Sequence, residues 1–532
     1  MVQILVLLPP IIAIGLALLT KEVYSSLFIG VVVGALLFVL SGGADAGYFA
    51  GTGDWTWNFN IIEVLKTTIE EISATVDSYN MGILLFLVLL GMLVALVTKA
   101  GGSKAYGEWA TTKFKSKQSS LLATSALGAI IFVDDYFNCL TVGTVMNPVT
   151  DKHKVSRAKL AYIIDSTAAP ICIIAPVSSW GAAITGNMTV NNAFGVFLQT
   201  IPFNFYALLT IIFLVAIVCL NIDFGPMKGI EKLAEETGDL GNTQGETIKT
   251  EFEISTKGKV IDLIVPIVVL IVGAIFGMVY TGGLFDGETI IDAFTNCDAP
   301  VALNMGAIFG LLAALIMYLP RKIITAKEYM ESLLQGFKSM VPAIAILVLA
   351  WSLGYLCRYK LMLGDNIAVL FENAEGLLKV LPAILFVLAG FIGFSTGTSW
   401  GTMGILIPLA EGILGCSADP VLGISFDATP LLIICIAAVA AGAVLGDHIS
   451  PISDTTIMAS TGAQCNHLQH VSTQLPYALT VGAVCVLAFL TAGLCADMGY
   501  GAALGISWVV GIIGLAAAIV GVKFIEKKKS NK

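Results

Sequence analysis

Residues 119–150 read SSLLATSALGAIIFVDDYFNCLTVGTVMNPVT, an apolar stretch with Asp134 and Asp135 near its middle and clusters of Lys and Arg beyond both ends, at 99–117 and 152–159. Connections rich in Lys and Arg stay on the cytoplasmic side of a membrane. A stretch bounded by two of them must enter from the cytoplasm and turn back, with VDDYFN (Val133 to Asn138) at its tip. Residues 380–412 must do the same from the other side, with STGTSWG (Ser395 to Gly401) at the tip.

The remaining basic clusters, at 228–259, 321–338 and 523–532, alternate with connections near 42–60, 187–195, 281–300, 413–428 and 496–503 that carry no Lys or Arg. This alternation is consistent only if the N-terminus lies outside, the C-terminus is cytoplasmic, and the two stretches return to the side they came from. Each is followed by a span interrupted by polar, Gly and Pro residues: DSTAAPICIIAPVSSWG (Asp165 to Gly181) and GDHISPISDTT (Gly446 to Thr456). Apolar runs long enough to cross the hydrocarbon core, about 18 residues or more, recur at 2–19, 23–40, 82–98, 205–221, 260–280, 301–319, 340–356, 476–495 and 504–524. The order of spans, hairpin and broken helix occurs twice with opposite orientation, which is the pattern of an inverted repeat.

The chain therefore reads as an all-α polytopic membrane protein of about 11 transmembrane helices plus two re-entrant hairpins, in an inverted repeat with broken helices. The first repeat is 1–221, with its hairpin at 119–150 and broken helix at 159–190; a cytoplasmic linker occupies 222–259. The second repeat is 260–495, with hairpin 380–412 and broken helix 430–461, and a final span with a basic cytoplasmic tail takes 496–532. A segment less apolar than its neighbours precedes the third span of each repeat, at 61–80 and 325–338. A repeated GAIFG (Gly273 to Gly277; Gly306 to Gly310) reads as close helix packing.

Composition agrees: 57% of residues are hydrophobic, 12% are charged and the mean hydropathy is +0.89, so the chain is solvated mainly by lipid and no soluble domain of any size remains. The net charge of −9 is concentrated at Glu231 to Glu253 and Asp286 to Asp298, with no basic patch to neutralise phosphates, so nucleic acid is excluded as a partner. The ten Cys are scattered singly without metal-ligand spacing and read as small buried apolar residues. The first apolar run lacks a basic n-region and a cleavage site, and reads as a retained helix.

Backbone groups cannot be left unpaired in lipid, so a break at membrane depth survives only where protein or a water-filled cavity covers it. Helix N-termini freed there favour anions, whereas carbonyls, hydroxyls and carboxylates suit a hard cation such as Na⁺. An ionisable side chain there points to function. Asp134 and Asp135, with Asn138 a turn beyond, form a pair that resists double ionisation, so one can hold a proton and release it to an arriving cation. Asp447, Ser450, Ser453, Asp454, Thr455 and Thr456 gather around Pro451, and His448 beside them can relay protons or serve as a neutral structural imidazole. The expected cation ligands are Asp134, Asp135, Asn138, Asp165, Asp447, Ser450, Ser453, Asp454 and Thr455, with Asp135, His448 and Asp454 coupling protons. SWG occurs in both halves, and Ser178, Ser179, Trp180, Thr398, Ser399 and Trp400 are the expected substrate contacts. The two Trp residues either wall this cavity or anchor the aromatic belt. Lys152, Lys154, Arg157 and Lys159 read as topology signals, and Arg358 and Lys360 stand on the outer side against the charge bias.

With these motifs the chain resembles the NhaC family of Na⁺/H⁺ antiporters. The resemblance rests on FVDDYFNCLTVG (Phe132 to Gly143), SRAKLAYIIDSTAAPICIIAPVSSW (Ser156 to Trp180) and GDHISPISDTTIMAS (Gly446 to Ser460), which follow in the family's order. It implies exchange of Na⁺ for H⁺ in the cytoplasmic membrane of a bacterium. It also implies the fold of the wider ion-transporter superfamily, and the use of Asp134, Asp135, Asn138, Asp165, Asp447, His448, Ser450, Ser453 and Asp454. Some members look like exchangers of small organic acids such as malate and lactate, or of amino acids, so the resemblance leaves cargo open. No cofactor is expected beyond transported Na⁺; the partners are Na⁺, H⁺, membrane lipid and, by analogy of fold, a second copy in a homodimer. A membrane-embedded enzyme is the rival reading from another class, but no HExxH, GxSxG or glycine-rich phosphate cradle accompanies these residues, and the chain reads as no enzyme. A passive channel would leave the titratable carboxylates without a role.

Overall fold

The computed structural model describes residues 5–6, 8–20, 23–42, 57, 59–76, 78–241, 254–290, 293, 297–362, 375–414, 428–451 and 453–530. Among them it is helical, with no strand. The first half runs through α1 (Leu8–Thr20), α2 (Val23–Leu40), α3 (Ile61–Ala74), α4 (Ser78–Ala100) and α5 (Gly102–Lys113) to a helical hairpin, α6 (Lys117–Ile130) and α7 (Asp135–Lys152). It continues with α8 (Arg157–Thr167), the single turn α9 (Ala169–Cys172), α10 (Ser179–Gly186), α11 (Ala193–Thr200) and α12 (Phe205–Leu220). After α13 (Gly225–Thr237) come α14 (Val260–Thr281), α15 (Ala299–Tyr318), α16 (Ala326–Tyr355) and α17 (Glu375–Leu378). A second hairpin, α18 (Leu381–Thr396) and α19 (Ser399–Ile413), precedes α20 (Pro430–Ile449), α21 (Asp454–Gly462), α22 (His467–Leu494) and α23 (Tyr500–Ser530).

Among the described residues eight helices are long and apolar enough to cross a membrane, and they overlap eight of the spans expected from sequence. The stretches of the other expected spans hold α1, α2 and the interrupted series α8–α10, which are not among those eight. Hairpin helices α6, α18 and α19 have 14, 16 and 15 residues. At 1.5 Å per residue they extend roughly 21–24 Å, short of the ~30 Å core. Local chemistry sets the breaks. Ser116 caps α6 by accepting from Ser119 N–H. α18 ends on Gly397 at φ +69°, a left-handed conformation open to glycine. Ser450 is extended before Pro451, which has no N–H to continue α20.

Two helices begin earlier than their apolar runs. α22 starts at His467, and α16 starts at Ala326 behind a Thr325/Glu328 capping box, so 325–338 is its first half. Its counterpart in the first half of the chain is instead the separate helix α3. The GAIFG copies pack α14 on α15: a Cβ on Gly273 would lie 3.1 Å from Gly306 Cα, and one on Gly306 2.6 Å from Leu270 O.

The connections sort to two ends of the bundle. At one end Lys117 pairs with Glu231 and Glu235, Lys99 with Glu328 (3.4 Å) and Lys228 with Glu526 (2.7 Å), while Arg157 N–H donates to Leu240 O (2.9 Å). At the other, Lys379 pairs with Asp497 (2.6 Å), Tyr500 OH donates to Gln199 O and Trp508 Nε1 donates to Pro202 O. The basic clusters thus share one end.

Candidate functional site

The tip of the first hairpin is a turn whose open carbonyls are collected by one amide. Asn138 Nδ2 donates to Gly128 O (2.7 Å), Ile131 O (2.9 Å) and Thr167 O (3.1 Å), tying the turn to α8. The sequence suggested Asn138 as a cation ligand; its amide nitrogen builds the tip, and only Oδ1 lacks a hydrogen-bond partner among the described residues. Asp134 and Asp135 are buried beside it, and Cys172 lies within electrostatic reach of both.

This tip meets the second break. α7 and α21 approach so closely that a Cβ on Gly143 would sit 2.3 Å from Gly462 C. Asn147 Nδ2 donates to Gly462 O (2.9 Å), and Cys139 Sγ lies 3.9 Å from Thr455 O. From Thr455 a chain of polar contacts leads on: Thr455 Oγ1 to Ser453 Oγ (2.9 Å), Ser453 Oγ to Asp447 Oδ1 (3.1 Å), and Ser399 Oγ to Asp447 Oδ2 (2.5 Å). Asp447 is buried; the second hairpin reaches this polar strip through Ser399, and the first approaches it where Cys139 lies against Thr455. Ser450 instead donates to Phe394 O (2.7 Å), and Thr456 bonds to the Ser450 and Ser453 carbonyls, so these two hydroxyls shape the break. The side chain of Asp454 lies outside the described residues.

The two SWG segments form a second junction. Ser178 Oγ accepts from Gly181 N–H (3.0 Å) and Thr398 Oγ1 from Gly401 N–H (3.3 Å), capping α10 and α19 alike. Trp180 and Trp400 are buried with centroids 6.4 Å apart at 80°, so the two indoles face each other inside the protein. Ser179 Oγ and Trp180 Nε1 have no hydrogen-bond partner among the described residues. Ser179 N–H donates to Val133 O (2.9 Å), joining this junction to the first hairpin's tip.

Asp165 stands apart from the strip. Gln474 Nε2 donates to Asp165 Oδ2 (2.5 Å) and to His448 O (2.9 Å), His470 Nε2 lies 3.3 Å from the same carboxylate oxygen, and His448 Nδ1 faces Tyr206 OH (2.9 Å). His470, Gln474 and Tyr206 did not stand out in the sequence. The signal was a polar run ahead of Pro476 that continues the helix instead of leading up to it. Arg157 and Lys159, read as topology signals, are buried: Arg157 binds Asn147 and Asp151, and Lys159 binds Asp223, which also accepts from Tyr477 OH (3.1 Å). Among the described residues no group of three or more His, Cys, Asp or Glu could hold a metal ion. What the strip offers is carboxylate, hydroxyl and carbonyl oxygen, the donor set of a hard cation.

The family model described as the Na⁺/H⁺ antiporter family matches residues 171–494. A protein of Haemophilus influenzae described as uncharacterized is 36% identical over 98% of this chain and 95% of its own length. The malate-2H⁺/Na⁺-lactate antiporter of Bacillus subtilis is 28% identical over 31% of this chain and 33% of its own. Among solved structures, the Alcanivorax borkumensis YdaH transporter superposes with a TM-score of 0.53 at 15% identity, covering 90% of this chain and 99% of that one, which is a likeness of fold.

Proposed function

Because this chain belongs to the Na⁺/H⁺ antiporter family, we propose that it is a secondary transporter that exchanges Na⁺ for H⁺ by alternating access. The observation that carries this reading is the buried strip on which Asp447, Ser453, Thr455 and Ser399 connect to the hairpin bearing Asp134 and Asp135. Buried carboxylates need a counter-charge, and either a proton or a hard cation supplies it. Na⁺ arriving at Asp135 and Asp447 displaces H⁺, the hairpins rearrange, and the opposite face opens. In this reading the hairpins are re-entrant, the chain sits in a bacterial cytoplasmic membrane with its C-terminus inside, Asp454 and His448 assist proton transfer, and two copies form a dimer.

The test is proton flux in proteoliposomes carrying an internal pH dye. Na⁺ alone is expected to drive proton movement while K⁺ does not. A response that requires an added carboxylate or amino acid would replace the reading with a coupled solute carrier. One observation favours that second reading: the SWG junction presents two helix N-termini with Ser179 Oγ and Trp180 Nε1 lacking a hydrogen-bond partner among the described residues, a setting that suits an organic carboxylate, and a relative named for malate and lactate shares part of the sequence.

A further inference from the structure

Helix α3, IIEVLKTTIEEISA, has three faces. Val64, Thr67, Thr68 and Glu71 are 2–4% exposed and pack against the protein. Glu63, Lys66 and Glu70 form a charged face, with Lys66 Nζ 3.0 Å from Glu63 and 4.0 Å from Glu70. On the third face Ile61, Ile62, Leu65 and Ile69 are 54–72% exposed. At 3.6 residues per turn the three sets fall on separate arcs, roughly a third of the circumference apart. A helix between protein and water needs two faces, and the third apolar one calls for another medium.

The helix also lies where spans end. Asn60 caps its start, and its far end is tied to the end of α16: Glu71 pairs with Lys360 (3.7 Å), Thr75 Oγ1 lies 3.3 Å from Ser352 Oγ, and Lys360 Nζ sits 5.2 Å from the Phe38 ring centroid. Asn80 Nδ2, in the first turn of α4, donates to Thr75 O (2.8 Å). Past the helix, Val76 in the connection and Met81 and Leu85 in the first turns of α4 are 37%, 50% and 47% exposed.

We propose that α3 is an in-plane helix docked into the bilayer at the boundary of headgroups and acyl chains. Ile62, Leu65 and Ile69 enter the lipid, and Glu63, Lys66 and Glu70 stay in the headgroup water. The partner is lipid because α3 is tied to the ends of spanning helices, with Asn80 of α4 bonding to Thr75 O and Lys360 beyond α16 pairing with Glu71, and because four aliphatic side chains offer well under the ~800 Å² per partner of a stable protein interface. Lys360, which stands against the charge bias, then serves to hold this helix at the end of α16 through Glu71. The proposal does not depend on the cargo.

The test uses full-length protein with its accessible native cysteines replaced, in phosphatidylcholine–phosphatidylglycerol vesicles. Nitroxide labels are placed one at a time at Ile62→Cys, Leu65→Cys and Ile69→Cys, and at Glu63→Cys, Lys66→Cys and Glu70→Cys. All six sites are on side chains at the protein surface, so folding is preserved, and proton flux is recorded as a control. Power saturation with oxygen and a nickel chelate should put the first three about 5–10 Å below the phosphates, with oxygen access dominant, and the second three in water. Nickel access at all six positions would overturn the proposal. Exclusion of both colliders from 62, 65 and 69, with dipolar broadening, would overturn it in favour of a second copy of the chain.

Discussion

Where α7 meets α21 the buried side chains are amide, thiol and hydroxyl, with a carboxylate at the start of α7; where α10 meets α19 they are hydroxyl and indole. Yet both junctions join the hairpin of one half of the chain to the broken helix of the other, and both are made by half-helix starts. A helix N-terminus carries about half a positive charge. At the first junction Asp135 opens α7 and so faces that charge; at the second, the helix starts carry only Ser and Thr caps. The same scaffold thus presents an acid pole and a pole without a fixed acid. Asp447 lies between them, held by Ser399 of one hairpin and by Ser453, which leads through Thr455 toward the other.

The sharpest way to break this contrast is to neutralise the acid pole. Asp135→Asn and Asp447→Asn should each remove about 2–5 kcal/mol of cation binding, ~30-fold or more in apparent Na⁺ affinity, read as Na⁺-driven proton flux; parent-like flux in either would dissolve the distinction between poles. Ser399→Ala, which removes only the hydroxyl that reaches Asp447, should cost about 1.5–3 kcal/mol and raise the Na⁺ concentration at half-maximal flux by ~10-fold or more. Gly143→Ala drives a methyl into the Gly462 backbone, for an overpacking cost of about 1–3 kcal/mol. Its loss should show as a lower thermal inactivation temperature, and larger than that of Gly181→Ala, whose nearest neighbours are 3.2 Å away. The smallest effect belongs to the pole without a fixed acid. Trp400→Phe gives up part of an aromatic contact worth about 0.5–1.5 kcal/mol, so Na⁺-driven flux should change by less than ~10-fold. A collapse of flux in that variant would mean that the indoles bind cargo.

The interruptions were legible in the sequence. Asp165 to Gly181 and Gly446 to Thr456, rich in Pro, Gly and polar residues, are where α8 gives way to α9 and α10 and where α20 gives way to α21. Side-chain partners were not legible. Asn138 and Ser450 have the composition of ligands, and their side chains also donate to carbonyls at the breaks, which residue type alone does not show. Conversely Gln474 and His470 look like the polar approach to a span, and only tertiary packing brings them to Asp165, more than three hundred residues away in sequence. Residue type shows that a polar group must be satisfied; which group satisfies it depends on how the two halves dock.

The most direct test of the central claim is calorimetry of Na⁺ binding to the purified protein in two buffers of different ionisation enthalpy. If Na⁺ displaces H⁺ from the acid pole, the measured heat depends on the buffer because each bound Na⁺ releases protons, and both the binding and the release disappear in Asp135→Asn and Asp447→Asn. Na⁺ binding with no proton release, or with release unchanged in both variants, would contradict the account.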